Sequence, residues 1–508
     1  MKCRAGCALL AAALWLSPAP SAADGPAPST VLVRADSAWA MEDWRVAREL
    51  YSAALAEDPG QSRAVFRLAR LTDDRMRALG LYRRYVALEP DDPWGYMAAG
   101  DVLSQLGRTG EALMEYARAA QLAPGERDVV VGRARVMDRA GRRDEAAEIR
   151  RRWLTVHPDD TAVWGDLGRA WLKAGRPRRA ARALEHALAA GPDPGAAHRL
   201  RLAAALAGPA VEPLATVSRD SDGNHSHAAG FTADVAVGDG ARLGARVLRT
   251  NVEGGGARGA VDEASLRFAL RPRAAWRIEG ATGVARFGLR AVAPVANRWC
   301  GELRARWRDA GGSPRFEARV ERVTLASNPQ LLSGLALRNE GRLALELPVR
   351  AFRLRGGLRG AMIEAGDRRN WRGTAGGAVA LALSPNVAPW IRYHHSGYRD
   401  PTDAGYFAPR RAQSVEVGSS FELGEGSPWS LSLDAGGGLQ RIATHDGVAG
   451  SWKPALEFYG YLGRALGPGR ELRLEAEAEN SIAVTTSATT SGSWSYGSLS
   501  LALRWALR

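Results

Sequence analysis

Charged side chains recur at every second position through several segments in the second half of the chain. In residues 314–322, Arg315, Glu317, Arg319 and Glu321 alternate with apolar residues. Successive side chains of a β-strand point to opposite faces, so these four charged groups share one face. Such groups can pair with each other and stiffen a wall, or they can hydrogen-bond an anionic or heavily hydroxylated polymer, and both interpretations stay open. The residues predicted to line a polar interior are Arg298, Glu302, Arg304, Arg306, Arg308, Arg315, Glu317, Arg319, Arg342, Glu346, Arg353, Arg355, Arg359, Glu471, Arg473, Glu475 and Glu477.

One polar segment contains residue types that ligate metals. Asp220, Asp222 and Asn224 offer oxygen atoms at alternate positions, and His225 and His227 offer imidazoles. The calcium-loop pattern also requires a distant glutamate, which is absent, so a polar hairpin loop is the favoured interpretation. No catalytic triad, carboxylate pair or zinc-protease motif stands out elsewhere in the sequence. We therefore expect a protein that is not an enzyme and that has no metal site and no cofactor.

The alternation with period two continues from Pro209 to the end of the chain and predicts sixteen β-strands. Their predicted starts lie near residues 213, 229, 241, 260, 274, 298, 314, 339, 352, 371, 388, 412, 427, 452, 469 and 494. The links between strands alternate in length, which is typical of outer-membrane barrels with short turns at one end and long loops at the other. The short links include 239–240, 272–273, 350–351, 385–387 and 425–426. The long links include 251–259, with its glycine run, 285–297, 325–338, 399–411, 438–451 and 484–493.

Strands of about 10 residues suit a tilted crossing of the hydrocarbon layer of a membrane. A closed barrel satisfies all backbone donors and acceptors there. Tryptophans near strand ends or on apolar faces predict an aromatic girdle at the membrane interfaces. They are Trp276, Trp299, Trp307, Trp390, Trp429, Trp452, Trp494 and Trp505. The alternative is a soluble β-domain, whose strands alternate in the same way.

The first half of the chain contains a repeat. Prolines at 90, 124, 158 and 192 are 34 residues apart, and a 34-residue period resembles that of the tetratricopeptide repeat, a helix–turn–helix unit. The resemblance covers residues 28–207 and implies a solenoid of about five repeats and a capping helix. Its groove would bind a protein partner, or the array would be a passive spacer. The fullest signature is Trp164, Leu167, Gly168, Trp171, Ala180, Ala187 and Pro192.

The amino-terminal end has the features of a secretory signal. Lys2 and Arg4 precede a short apolar run, and small residues end at Ala23. The mature chain then keeps a single cysteine, Cys300, so no internal disulfide is expected. The formal net charge is +14, and from residue 211 onward 38 basic and 29 acidic residues contribute +9 of it. An exported chain without a clustered basic and aromatic face is not expected to bind nucleic acid.

These patterns predict an α + β multidomain protein. Residues 1–23 form the signal peptide and residues 24–209 a periplasmic α-solenoid of tetratricopeptide repeats. Residues 210–508 form a sixteen-stranded antiparallel transmembrane β-barrel in the outer membrane, in contact with its lipid.

The order of these domains resembles the exopolysaccharide export porins, such as those for poly-N-acetylglucosamine and cellulose. Two local segments add to the likeness, Asp220–Asn224 after the first strand and Gly405–Pro409 after a long loop. The resemblance implies a passive conduit for a polysaccharide, docked through its repeats to a periplasmic protein or polysaccharide-modifying enzyme.

Two alternatives remain open. The surface lipoprotein assembly modifiers share the length and the domain order, and a fourteen-strand count would favour them. A structural or receptor barrel predicts a lumen blocked by side chains or by an outer loop.

Overall fold

The computed structural model describes residues 30–273, 275–289, 296–309, 314–384, 386–424, 427–448, 450–480 and 495–507. The predicted signal peptide and Trp494 lie outside these ranges. The chain divides into two compact units, residues 1–106 and residues 107–508.

The described part of the first unit consists of five helices. They are α1 (Thr30–Ala40), α2 (Trp44–Glu57), α3 (Ser62–Arg70), α4 (Arg75–Leu88) and α5 (Pro93–Gln105). Asp43, Asp74 and Asp92 begin three of them, because each carboxylate accepts a hydrogen bond from a backbone N–H of the first turn. Small buried residues such as Ala47 let neighbouring helices approach, and Tyr51 fills the space between them.

The second unit begins with six further helices. They are α6 (Thr109–Leu122), α7 (Arg127–Arg139), α8 (Arg143–Val156), α9 (Thr161–Lys173), α10 (Pro177–Leu188) and α11 (Pro194–Ala207). Leu167, Trp171 and Leu184 are buried in the core of the last helices. The predicted helical repeats are confirmed.

Sixteen strands follow, and the predicted barrel is confirmed. They are β1 (Ala210–Asp220), β2 (His225–Gly238), β3 (Ala241–Gly254), β4 (Ala257–Leu270), β5 (Trp276–Leu289), β6 (Ala296–Arg308), β7 (Arg315–Thr324), β8 (Leu337–Val349), β9 (Phe352–Ala365), β10 (Arg368–Leu381), β11 (Val387–Tyr398), β12 (Arg411–Leu423), β13 (Trp429–Ala443), β14 (Lys453–Gly467), β15 (Arg470–Glu479) and β16 (Tyr496–Ala506). Each strand pairs antiparallel with its neighbours in sequence, and β1 pairs with β16 to close the ring. All sixteen begin within four residues of the predicted starts.

Some of the links differ from the prediction. The predicted long link 251–259 is wrong, because β3 and β4 extend through it and leave only Gly255 and Gly256 as the turn. Both glycines have positive φ, of 57° and 78°, which other residues rarely adopt and which suits a two-residue hairpin. The link between β7 and β8 contains a short helix, α12 (Pro329–Ser333), that the sequence pattern did not predict.

Among the described residues, no helix combines the length and the apolar character needed to cross a membrane.

Candidate functional site

The barrel wall has two chemically different faces. Leu303, Val320, Leu343 and Leu358 are between 47 and 61% exposed and share one face. The charged residues occupy the other face, which is the interior. Arg392 of β11 forms an ion pair across it with Glu457 of β14, three strands away. The strand register assigns all seventeen residues predicted to line a polar interior to this same face.

The interior face of β6, β7 and β8 contains a network of ion pairs. Glu321 is buried and lies 2.6 Å from both Arg319 and Arg338. Arg319 also lies 3.2 Å from Glu302, and Arg304 pairs with Glu317 at 2.6 Å. A buried carboxylate requires such partners to offset the loss of hydration. The ion pairs therefore join β6, β7 and β8 through side chains on their interior face.

Four arginines form a row across adjacent strands. Arg304 of β6 lies opposite Arg319 of β7, Arg319 opposite Arg342 of β8, and Arg342 opposite Arg359 of β9. The first two have the glutamate partners given above. Arg342 and Arg359 are half-buried, and neither makes a side-chain hydrogen bond or ion pair with any residue in the described ranges.

A different part of the ring has the opposite charge. Glu475, Glu477 and Glu479 follow one another on the interior face of β15, seven strands from β8 in a ring of sixteen. None of the three forms an ion pair with a described residue. The structure therefore places Arg342 and Arg359, and these three glutamates, on different sides of the ring.

The prediction that Trp390 belongs to an aromatic girdle at the membrane interface is wrong. Its register and its burial, with 5% of its surface exposed, place it on the interior face of β11. Its ring lies over Gly418 and Gly436, where an added Cβ would come within 2.4 Å of ring atoms. Because these glycines have no side chain, the ring fits flat against the wall. The alternation in β11 is weak, since apolar residues occupy both faces near Trp390.

Two links fold into one end of the barrel. We call residues 325–336, between β7 and β8, and residues 399–410, between β11 and β12, together the mouth strap. Leu331 and Leu332 of α12 are buried, and Leu332 packs with Phe287 on the interior face of β5. Asn328 donates to the carbonyl oxygen of Gly405 at 2.7 Å and so connects the two links.

The segment Gly405–Pro409, singled out in the sequence, lies in this strap. Tyr406 is buried, and its ring centre is 5.7 Å from that of Tyr398 on the interior face of β11. The predicted long loops 325–338 and 399–411 therefore fold into the interior, which the sequence pattern did not reveal.

A cavity of about 860 Å³ lies at the other end of the barrel, next to α8 and α9, and we call it the vestibule. Its lining includes Arg143 of α8 and Lys173 of α9, together with interior residues of β5 to β11 and β14. Eleven basic and three acidic side chains surround it. Arg271, in the turn before β5, also lines it. Burial lowers the pKa of Arg271, and the positive charge of the nearby Arg277 lowers it further.

The barrel supplies caps for two helices at this end. The N-cap residue Arg176 gives α10 no side-chain hydrogen bond. Instead, Asp239, in the turn between β2 and β3, accepts hydrogen bonds from the backbone N–H of Arg179 at 3.1 Å and from its guanidinium at 3.0 Å. Arg242 of β3 donates to the carbonyl oxygen of Leu206 at 2.6 Å, near the end of α11. A carboxylate at a helix start and a guanidinium at a helix end are both favourable, so these contacts hold the helices on the barrel.

The residues of the predicted repeat signature lie in α9, in α10 and just after α10. Leu167, Gly168, Trp171 and Ala180 are buried between helices, Ala187 is half-buried, and Pro192 is exposed after α10. Trp164 is half-buried and stacks on His186 with ring centres 4.4 Å apart.

The polar segment Asp220–Asn224 forms a hairpin, as predicted. The Asp220 carboxylate accepts hydrogen bonds from Asn224 and from the backbone N–H of Asp222 within the turn. Within the described ranges, no group of three or more His, Cys, Asp or Glu residues is placed to hold a metal ion.

Two family models described as tetratricopeptide repeat match the helical half, one at residues 32–71 and 72–127 and the other at residues 140–204. No curated protein sequence matches the chain.

Several solved structures have similar folds. A bacterial polysaccharide outer membrane secretin is 11% identical, covers 59% of this chain and 99% of its own, and has a TM-score of 0.43. A tetratricopeptide repeat protein of Thermus thermophilus is 23% identical, with coverages of 34 and 96% and a TM-score of 0.29. YrrB, a tetratricopeptide repeat protein with an unusual peptide-binding site, is 17% identical, with coverages of 33 and 89% and a TM-score of 0.28. These likenesses concern the fold alone.

Proposed function

We propose that this protein is an outer-membrane conduit that exports an extracellular polysaccharide and performs no chemistry itself. The observation that carries the proposal is the closed ring of sixteen strands, with an exposed apolar face outside and a charged face inside. An apolar exterior is stable against lipid, and a charged interior holds water. A ring of this size is wide enough for an aqueous passage.

The charged interior suits a hydroxylated polymer. Guanidinium and carboxylate groups donate and accept hydrogen bonds with sugar hydroxyls, and contacts spread along a wall are individually weak enough to release the chain. Helices α8 to α11 of the second unit lie against the barrel end that contains the vestibule, which is the periplasmic end in this proposal. Tetratricopeptide arrays commonly bind proteins, so the repeats would hold a polymer-handling partner beside the vestibule.

The conduit is tested with the purified full-length protein in liposomes that contain fluorescent oligosaccharides. We expect oligosaccharide efflux above that of protein-free liposomes, and a larger rate for the double variant Leu331→Ser, Leu332→Ser, which loosens the mouth strap. If neither protein releases oligosaccharide, the conduit is contradicted and a closed structural barrel is the better interpretation. The mouth strap is the specific observation that favours this second candidate.

Removal of the gene distinguishes the conduit from a lipoprotein translocon. We expect loss of extracellular polymer while surface lipoproteins remain, and the reverse result would contradict export of a polysaccharide. The barrel has sixteen strands, whereas a count of fourteen would favour the lipoprotein assembly modifiers.

A further inference from the structure

The vestibule contains more positive charge than its own carboxylates can neutralise. Its lining has eleven basic and three acidic side chains, and Glu346, one of the three acids, already pairs with Arg355 at 2.7 Å. Helices and barrel both contribute, through Arg143 and Lys173 on one side and through Arg342 and Arg359 of the arginine row on the other. A concave site with one excess sign concentrates ions of the other sign.

Arg342 and Arg359 are the strongest anion-binding feature of this cavity. They lie directly opposite each other on β8 and β9, are half-buried, and have no hydrogen-bonding or ion-pair partner among the described residues. Like charges at opposing positions of adjacent strands destabilise a sheet. A carboxylate between them would remove that repulsion and would accept charge-assisted hydrogen bonds from both guanidinium groups.

We propose that the vestibule binds carboxylate-bearing stretches of an acidic glycan, and that Arg342 and Arg359 contact the carboxylates. This inference rests on the proposed conduit and narrows its substrate to one chemical class. Thr374 lies opposite Arg359 in the same row and offers a hydroxyl to the sugar ring.

Binding is measured by isothermal titration calorimetry on the full-length protein in detergent at low salt. The probes are an oligogalacturonate, a neutral cello-oligosaccharide and a cationic chitosan oligomer of equal length. We expect the oligogalacturonate to bind at least about tenfold more tightly than either other probe, and its binding to weaken as salt screens the charges.

The double variant Arg342→Gln, Arg359→Gln should weaken oligogalacturonate binding about tenfold. The matched control is Arg249→Gln, Arg258→Gln, which removes the same charge from side chains that are 60 and 68% exposed outside the lumen, and it should bind like the parent protein. Thr374→Glu provides a second test that keeps both arginines, and its added carboxylate should weaken binding as well.

Equal binding of the acidic and neutral probes, or tighter binding of the cationic one, would overturn the acidic-glycan proposal and leave a polysaccharide conduit standing. Unchanged binding by both vestibule variants would also overturn it. Absence of binding by all three probes would overturn the acidic-glycan proposal alone, because the liposome efflux experiment tests the conduit separately.

Discussion

At the residue scale, the helical repeats depend on small side chains at the points where two helices approach. Gly168 of α9 lies under Leu184 of α10, and a Cβ at this glycine would be 2.5 Å from the Leu184 Cγ. Gly165, one turn earlier on α9, has open space instead, with Ala187 at 3.8 Å. Two glycines of one helix therefore have different structural reasons to be present.

Gly168→Ala should destabilise the repeat by about 1–3 kcal/mol, because Leu184 or the helix must move. Gly165→Ala is the matched control and should stabilise it by about 0.5–1 kcal/mol through higher helix propensity. Urea unfolding of the helical circular dichroism signal in detergent measures both. Equal changes in the free energy of unfolding for the two substitutions would show that the close contact between α9 and α10 at Gly168 does not determine stability.

The Asp160 carboxylate caps the start of α9 and also forms an ion pair with Arg127. It accepts hydrogen bonds from Arg127 at 2.8 Å, from the Trp153 indole at 3.0 Å and from the backbone N–H of Val163 at 3.2 Å. Burial raises the pKa of this carboxyl, but these hydrogen bonds outweigh burial and leave it below its ordinary value. The charged form is thus the one that stabilises the fold, and its contribution is lost as pH falls from the unfolded-state pKa, about 3.9, through the lower folded pKa.

Asp160→Asn should therefore lower the stability of helices α6 to α11 by about 1 kcal/mol at neutral pH. The difference from the parent protein should shrink at acidic pH, where the parent carboxyl becomes protonated. Asp159→Asn, at the exposed neighbouring position, is the control and should have little effect. Thermal melting across a pH series provides the measurement, and a difference that does not depend on pH would contradict the assignment.

At the element scale, the mouth strap combines two links that are distant in sequence. Leu331, Leu332 and Tyr406 are buried although they belong to loops, so apolar contact holds the strap inside the ring. Asn328 caps α12 by accepting from the N–H of Leu331 at 2.9 Å and also donates to Gly405. Loss of its apolar anchor should release the strap and widen the passage.

Single-channel recording in a planar bilayer tests this role of the strap. Leu331→Ser with Leu332→Ser should raise the conductance severalfold over the parent protein, because α12 leaves the interior wall. Ser333→Ala, on an exposed position of the same helix, should conduct like the parent. A conductance equal in all three proteins would mean that the strap does not narrow the path.

At the scale of the second compact unit, helices and barrel are joined by charged contacts at helix ends. The Asp239 carboxylate caps α10 from a barrel turn, and the guanidinium of Arg176 donates to its carbonyl oxygen at 2.8 Å. A charged hydrogen bond of this kind contributes about 1.5–3 kcal/mol. The vestibule depends on this docking, because one part of its lining belongs to helices α8 and α9 and the rest belongs to the barrel.

Asp239→Ala should increase amide hydrogen exchange in α10 by about tenfold, as expected for the loss of about 1.5 kcal/mol. The barrel strands should remain protected. Asp367→Ala is the matched control, since Asp367 occupies a two-residue turn at the opposite barrel end and is exposed. Unchanged exchange in α10 would show that other contacts suffice to hold the helices.

The sequence by itself determined the number and approximate position of the strands, the helical repeats and the set of charged residues on one face. These properties depend on local periods: a two-residue alternation assigns faces without any knowledge of neighbouring strands, and a 34-residue period reveals a repeated unit. The predicted interior positions of Arg304, Arg319, Arg342 and Arg359 rest on this alternation alone. The alternation fails for Trp390, because apolar residues occupy both faces of β11 near it.

Only the tertiary structure decided which charges meet. The row from Arg304 to Arg359 depends on the register of four strands, and the absence of a described partner for its last two members depends on where each glutamate falls. The inward path of the mouth strap and the cap that Asp239 gives to α10 join residues 77 and 60 positions apart. Closure of the ring brings such residues together, and no local pattern in the sequence encodes that closure.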